Sequence, residues 1–147
     1  MGARIDHRTG LEELDRDECL HLLAESPLGR LGVVIGGQPL VFPVNFTLDG
    51  DAIVLRTDVG TKLHAARNAP VALECDGIDT AYHTGWSVLA VGDAEEVTSP
   101  SEIARLEHLP LGPWCPSAKP IWLRLRAKSI TGRRIPPPGH TDSGKDL

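Results

Sequence analysis

The spacing of apolar residues near the start of the chain is typical of one helix. Apolar side chains recur at roughly helical spacing at Leu11, Leu14, Cys19, Leu22 and Leu23. Asp15 can cap a helix, and Glu18 three residues later can complete a capping box. The Ser26-Pro27 step ends the helix, because the residue before a proline avoids helical backbone angles. We therefore predict a first helix that begins near Asp15.

Most of the remaining chain consists of short apolar runs that are separated by turn residues. These runs cover residues 31–35, 40–48, 52–57, 71–75, 86–97 and 121–130. Gly36-Gly37 and Asp49-Gly50 are turn signals, so the first three runs are expected to form an antiparallel meander. Gly92 lies within the longest run, where it predicts a bulge or a tight bend. Two short helices are expected, at residues 61–68 and 101–109.

The order of these elements predicts the fold class. Strands outnumber helices and follow one another through short turns, which indicates a mainly β chain with short helices (α+β), folded as a closed or partly closed antiparallel β-barrel. This single domain is expected to span residues 11–135. Residues 1–10 are polar and unpatterned, which predicts a flexible N-terminus. Residues 136–147 are rich in proline, glycine and charge, which predicts a disordered tail.

Composition narrows the function classes. The 147 residues contain three Trp, two Phe and one Tyr, so the core must be filled by smaller aliphatic side chains, and such a thin core favours a dimer. A net charge of −5 argues against nucleic-acid binding. The three cysteines are far apart, which argues against a disulfide framework or a zinc site. With no apolar stretch long enough for a membrane span or a signal peptide, we expect a soluble, cytoplasmic protein.

One candidate site is the segment from Arg56 to Lys62, where a strand ends and a helix is expected to begin. Free backbone N–H groups at a helix start attract anions, and the hydroxyls of Thr57 and Thr61 together with the Lys62 ammonium would complete a phosphate cradle. Gly60 suits the turn that such a cradle needs. The alternative is an ordinary turn with a solvated lysine.

Two further segments could contact a planar ligand. Pro43 and Asn45 flank Val44 in an otherwise apolar strand, and a buried Asn45 amide needs a partner, which could be a flavin ring edge or a turn carbonyl. Trp86 and Ser87 begin the longest strand and could line a planar ligand, although Trp86 could equally fill one end of the barrel core. No nucleophile-elbow motif or H-E-x-x-H pattern is present, no metal site is expected, and His64 and His83 are expected to be surface or structural residues.

Five segments in a fixed order resemble a known family. They are Gly29-Arg30-Leu31-Gly32, Pro43-Val44-Asn45-Phe46, Arg56-Thr57 with Gly60-Thr61-Lys62, Gly85-Trp86-Ser87-Val88 with Gly92, and Thr131-Gly132-Arg133-Arg134-Ile135. Together they are similar to the FMN-binding split β-barrel of the pyridoxamine 5'-phosphate oxidase-like family, over about residues 11–135. The chain lacks the Arg-Leu-Ala-Pro type of segment of the true oxidases, so a vitamin B6 substrate is not expected.

The resemblance implies a flavin site and an oligomer. It places the FMN phosphate at Arg56, Thr57, Thr61 and Lys62, and the ring beside Pro43, Val44, Asn45, Trp86 and Ser87. It also implies a homodimer with flavins at the interface and an FMN-dependent oxidoreductase that acts on an unknown small molecule. Two alternatives remain open. One is a deazaflavin-dependent reductase that uses the basic residues Arg124, Arg126 and Lys128, and the other is a non-catalytic flavin- or haem-binding carrier or sensor.

Overall fold

A computed structural model of the protein describes residues 4–112 and 119–137. The helices are α1 (Arg16–Glu25), α2 (Lys62–Ala65) and α3 (Pro100–Leu106). The strands are β1 (Arg4–Asp6), β2 (Leu11–Leu14), β3 (Leu28–Ile35), β4 (Gln38–Asn45), β5 (Thr47–Asp49), β6 (Ala52–Thr57), β7 (Pro70–Asp79), β8 (Thr84–Val97) and β9 (Ile121–Ile135). Cys115 and residues 138–147 of the expected tail lie outside the described residues. In the part that is described, no helix is long and apolar enough to cross a membrane.

The nine described strands form one antiparallel sheet that is organised around β9. The strand order is β1-β2-β9-β8-β7-β3-β4, and β6 pairs with both β5 and β9. One edge of β9 is paired with β8, while the other edge is shared by β6 and β2. This arrangement confirms the predicted mainly β, antiparallel split-barrel fold.

The predicted irregularity at Gly92 is present. The pairing of β8 with β9 shifts register between Val91 and Gly92, as a bulge requires. A Cβ atom at Gly92 would overlap the carbonyl oxygen of Arg126. Only glycine allows the two backbones to approach so closely at this point.

The first helix begins where its cap predicts. The Asp15 side chain accepts a hydrogen bond from the backbone N–H of Glu18 at 2.8 Å. The Glu18 carboxylate instead binds Arg134, at 2.8 Å. The apolar residues before the cap do not belong to the helix, because residues 11–14 form β2 and pair with the end of β9.

Two other expectations differ from the structure. Residues 4–6 of the expected flexible N-terminus form β1, which pairs with β2 after a turn at Gly10, whose φ is +75°. The expected meander also breaks after β4, because the run 40–48 is interrupted at Phe46, whose side chain is buried in the core. As a result β6 pairs with β5 and β9 rather than with β4.

The interior has a main core and a smaller cluster under α3. The smaller cluster contains Val54, Val97, Leu106 and Trp122. Arg105 of α3 forms a two-pronged ion pair with Asp49, at 2.7 and 2.8 Å, which holds the helix against β5. The hydrogen bonds from Arg105 lower the pKa of the Asp49 carboxyl.

Candidate functional site

Two of the segments singled out in the sequence meet at one cavity. The end of β4 and the side chain of Arg56 on β6 line a space of about 110 Å³. Its described lining residues are Pro43, Val44, Asn45, Arg56, Leu63, Leu111 and Lys119. The wall therefore combines apolar side chains with two cations, which suits a ligand that is apolar on one side and anionic on the other.

Arg56 is held in place on two sides. Its Nε atom donates a hydrogen bond to the carbonyl oxygen of Lys119 at 2.9 Å. Its guanidinium carbon lies 4.9 Å from the centre of the Trp122 ring, which is a cation–π contact. Arg56 therefore presents a positioned positive charge at the cavity.

Lys119 is a cavity residue that the sequence pattern did not reveal. Its backbone N–H donates to Asp58 at 3.0 Å, and its φ of 45° is unusual for a residue other than glycine. It lies in a proline-rich stretch without periodicity, so nothing in its sequence context associates it with Arg56. Only the fold brings the two residues together.

Asn45 adopts the simpler of its two expected arrangements. Its Nδ2 group donates a hydrogen bond to the carbonyl oxygen of Pro27 at 3.1 Å. The adjacent Pro43 lies on β4, at the end of the strand order, where a missing backbone donor is tolerated. Asn45 thus ties the end of β4 to the segment that follows α1.

The segment 58–62, called the phosphate turn below after the role that the resemblance implies, is organised by hydroxyl groups. The Thr61 hydroxyl donates to the Asp58 carbonyl oxygen at 3.0 Å and accepts from the backbone N–H of His64 at 3.1 Å. Because Thr61 has a single hydroxyl proton, the Thr57 hydroxyl, 2.7 Å away, must donate to it. Thr57 is 2% exposed, so it supports Thr61 from within the protein.

Lys62 is the first residue of α2 and is exposed. The helix has four residues, far fewer than the expected span of 61–68. A single turn has almost no macrodipole, so its amide dipoles attract an anion weakly. Any attraction for phosphate must come mainly from the charges of Lys62 and Arg56.

His64 and Glu96 form a pair beside the phosphate turn. His64 Nε2 lies 2.5 Å from a carboxylate oxygen of Glu96 on β8, and the His64 side chain is 14% exposed. Its Nδ1 accepts a hydrogen bond from the backbone N–H of Gly60 at 3.3 Å. The sequence predicts a surface or structural role for His64, and no motif connects it with Glu96, which is 32 residues away.

Trp86 and Ser87 lie in a different part of the fold from this cavity. They are on β8, which is separated from β4 by β7 and β3 in the strand order. Both line a different cavity, of about 290 Å³, together with Ile78 and Ile135. A single chain therefore does not bring Trp86 and Ser87 to the cavity that Asn45 and Arg56 line.

The basic residues at the start of β9 are paired with acids. Arg124 is 8% exposed and lies 3.0 Å from Glu95 and 3.4 Å from Glu102. Arg126 contacts the same Glu95 at 3.4 Å, and Lys128 lies 2.8 Å from Asp93. These cations stabilise local structure, and the acids beside them reduce their attraction for a long anionic cofactor tail.

The two cysteines that the structure describes are core residues. Cys19 and Cys75 are free thiols with exposures of 0% and 1%. Burial raises the pKa of the Cys75 thiol to about 12. Cys75 is therefore neutral and unreactive at ordinary pH.

Comparison with known proteins identifies the family. Residues 15–134 match the sequence profile described as pyridoxamine 5'-phosphate oxidase, and the chain belongs to this family. This confirms the resemblance that the five segments indicated. Among curated proteins, the uncharacterized protein Rv0080 of Mycobacterium tuberculosis is 35% identical over 129 residues, which cover 84% of each chain.

Two solved structures are similar to this chain, at sequence identities close to that of Rv0080. One is the FAD binding protein from Mycobacterium smegmatis, with 33% identity, a TM-score of 0.72, and coverage of 83% of this chain and 96% of that one. The other is a putative pyridoxamine 5'-phosphate oxidase from Corynebacterium glutamicum, with 33% identity, a TM-score of 0.73, and coverage of 84% and 92%.

Proposed function

We propose that this protein binds FMN at the cavity beside Arg56 and uses it as an oxidoreductase that acts on a small molecule. The observation that carries the proposal is the meeting of Pro43, Val44 and Asn45 with Arg56 around one cavity, in a chain of this family. The phosphate turn follows directly after the strand that carries Arg56.

The described residues fit the ring and the phosphate of FMN. Pro43 and Val44 offer an apolar wall for one edge of the ring, while Arg56 and Lys119 place positive charge at the same cavity. In this proposal Arg56, Thr61 and Lys62 bind the phosphate, and Thr57 supports them by its hydrogen bond to Thr61. Bound flavin supplies hydride or electron transfer, and the protein residues bind and orient it.

The size of the cavity supports a homodimer. Sites for ligands of this size usually enclose about 300–1,000 Å³, whereas this cavity is about 110 Å³. One chain would therefore cover only part of the cofactor. We propose that a second copy of the chain covers the rest, and that Trp86 and Ser87 of the partner subunit contribute to the flavin site.

Among related cofactors, FMN remains our proposal. The neighbour from Mycobacterium smegmatis is described as FAD-binding, so the dinucleotide is the nearest competitor. A deazaflavin is less well supported, because the basic residues of β9 that could hold its tail are paired with acids. A cytoplasmic location belongs to the same proposal.

Analysis of the bound cofactor tests this function. The purified protein, after incubation with FMN and gel filtration, should show flavin absorbance, and mass analysis of the released molecule should find FMN at about one per chain. FAD or a deazaflavin found in its place would contradict the FMN assignment, and a haem spectrum without flavin would contradict flavin binding. A yellow protein that no nicotinamide reductant can reduce would favour the non-catalytic carrier.

Sedimentation tests the shared site. We expect a dimer at micromolar concentration, and the flavin should dissociate when the dimer does. A monomer that still holds FMN stoichiometrically would show that one chain builds the whole site.

A further inference from the structure

His64 connects the phosphate turn to β8 of the barrel. Its backbone N–H donates to Thr61, its Nδ1 accepts from Gly60, and its Nε2 contacts Glu96. Its carbonyl oxygen accepts a hydrogen bond from Arg67 at 2.8 Å. No sequence motif accounts for this combination, and the proposed cofactor contacts do not use it.

The chemistry of Glu96 determines which nitrogen of His64 carries the proton. An ionised carboxylate can only accept hydrogen bonds, so His64 Nε2 must be the donor. In a neutral imidazole the other nitrogen, Nδ1, is then an acceptor, and this is what the Gly60 N–H requires. Glu96 therefore selects the form of His64 that can hold Gly60.

The phosphate turn needs such an anchor because it has little stability of its own. A four-residue helix is far below the length that is stable in isolation, and Gly60 has a φ of +76°. At the cavity, the backbone N–H of Lys119 donates a hydrogen bond to the Asp58 side chain of the turn. The turn is also held by His64, which contacts Glu96 on β8.

We propose that His64 is a positioning residue for phosphate binding. Glu96 fixes the ring, the ring fixes Gly60, and Gly60 sets the orientation of the two residues that follow it, Thr61 and Lys62. The inference rests on the proposed function, since it assumes that the phosphate turn binds the FMN phosphate. His64 itself acts through the turn and need not touch the cofactor.

Two substitutions separate the contacts of His64. In His64→Asn the side-chain oxygen can take the place of Nδ1 and accept from Gly60, but the side chain is too short to reach Glu96. In His64→Gln the amide can reach Glu96, but no acceptor remains opposite Gly60. FMN and riboflavin are titrated into the apoprotein of wild type and both variants, because riboflavin lacks the phosphate, and thermal stability is measured for each.

The proposal predicts a specific order of FMN affinities. Loss of one neutral hydrogen bond should weaken FMN binding by about two- to tenfold in His64→Gln, with riboflavin affinity unchanged. His64→Asn should bind FMN more tightly than His64→Gln does. Adding Glu96→Leu to wild type should weaken FMN binding, whereas adding it to His64→Asn should change little, since the shorter amide side chain of that variant no longer uses Glu96.

Three results would overturn the proposal. FMN affinity that is unaltered in His64→Gln would show that the turn does not depend on Nδ1. An equal loss of FMN and riboflavin affinity together with a lower melting temperature would show a purely structural role. If wild type binds FMN no more tightly than riboflavin, the phosphate site of the proposed function fails and this inference fails with it. If wild type prefers FMN and the His64 variants keep the same FMN affinity, only the role of His64 is removed.

Discussion

The phosphate turn and the tip of the β7–β8 hairpin are held together by different kinds of contact. The turn is held by hydrogen bonds among Thr57, Thr61 and His64. The hairpin tip, consisting of Gly77, Gly85 and Trp86, is held by close packing: a Cβ at Gly77 would lie 2.6 Å from Nε1 of Trp86. A hydrogen bond can be removed singly, whereas a change at one position of a closely packed group disturbs its neighbours. Substitutions in the turn should therefore change mainly ligand affinity, and substitutions at the hairpin tip should change mainly stability.

Trp86→Ala should give the largest effect on stability. Trp86 is partly buried against the main core, so its truncation should lower the free energy of unfolding by about 3 kcal/mol, as for other large-to-small core changes. Chemical denaturation measures the loss, and Trp86→Phe, which keeps a ring, should lose clearly less. A stable Trp86→Ala protein would show that this side chain does not support the barrel.

Lys62→Ala should change ligand affinity and leave stability unchanged. Loss of a charge-assisted contact should weaken FMN binding by about ten- to a hundredfold, with riboflavin affinity and unfolding midpoint unchanged. Lys128→Ala is the matched control, because it removes an exposed lysine that is paired with Asp93 on another part of the surface. If both lysine variants behave alike, the phosphate lies elsewhere.

Gly85→Ala should destabilise the hairpin tip by backbone contact alone. The added Cβ would lie 2.8 Å from the carbonyl oxygen of Gly77, so overpacking should cost about 1–3 kcal/mol. Gly32→Ala on β3 is the control, since its Cβ would be 3.7 Å from the nearest atom, an ordinary contact. Equal unfolding midpoints for the two variants would contradict the close packing described for the hairpin tip.

Thr61→Ala should lower stability less than the substitutions at Trp86 and Gly85 do. Removal of the N-cap oxygen typically costs about 1 kcal/mol, and here it also leaves the Thr57 hydroxyl without its acceptor. FMN affinity should also fall when the cap is lost. Thr61→Ser keeps the hydroxyl and should restore both quantities, which titration and thermal unfolding can establish.

Local signals in the sequence predicted much of the fold. The Asp15 cap, the Gly36-Gly37 turn and the Gly92 bulge each depend on the chemistry of one or two residues, and each is present. The pairing of β6 with β9 could not be predicted in this way, since it joins residues such as Ile53 and Leu125 that are distant in sequence. β1 could not be predicted either, because it has no apolar pattern and exists because β2 provides a partner.

The candidate site likewise contains some residues that could be grouped from sequence and others that could not. Residues only a few positions apart, such as Thr57 and Thr61, could be grouped from sequence because a turn joins them. Lys119 and Glu96 could not, because each reaches the site through a strand pairing or a loop that carries no recognisable signal. Trp86 was grouped with Asn45 by family resemblance, yet within one chain the two line different cavities.

The bulge opposite Gly92 places a strict limit on the length of β9. Before it, Leu123 and Leu125 face the main core; after it, the inward residues are Ile130 and Gly132, so the parity of inward positions changes from odd to even. Lys128 is the extra residue that makes this change, since Val91 pairs with Ser129 and Gly92 with Ala127. Deleting Lys128 would remove the bulge and keep both sets of residues inward, because they would then alternate regularly along the strand. An insertion or deletion elsewhere in β9 would instead turn one half of the strand inside out, so that core residues would face solvent.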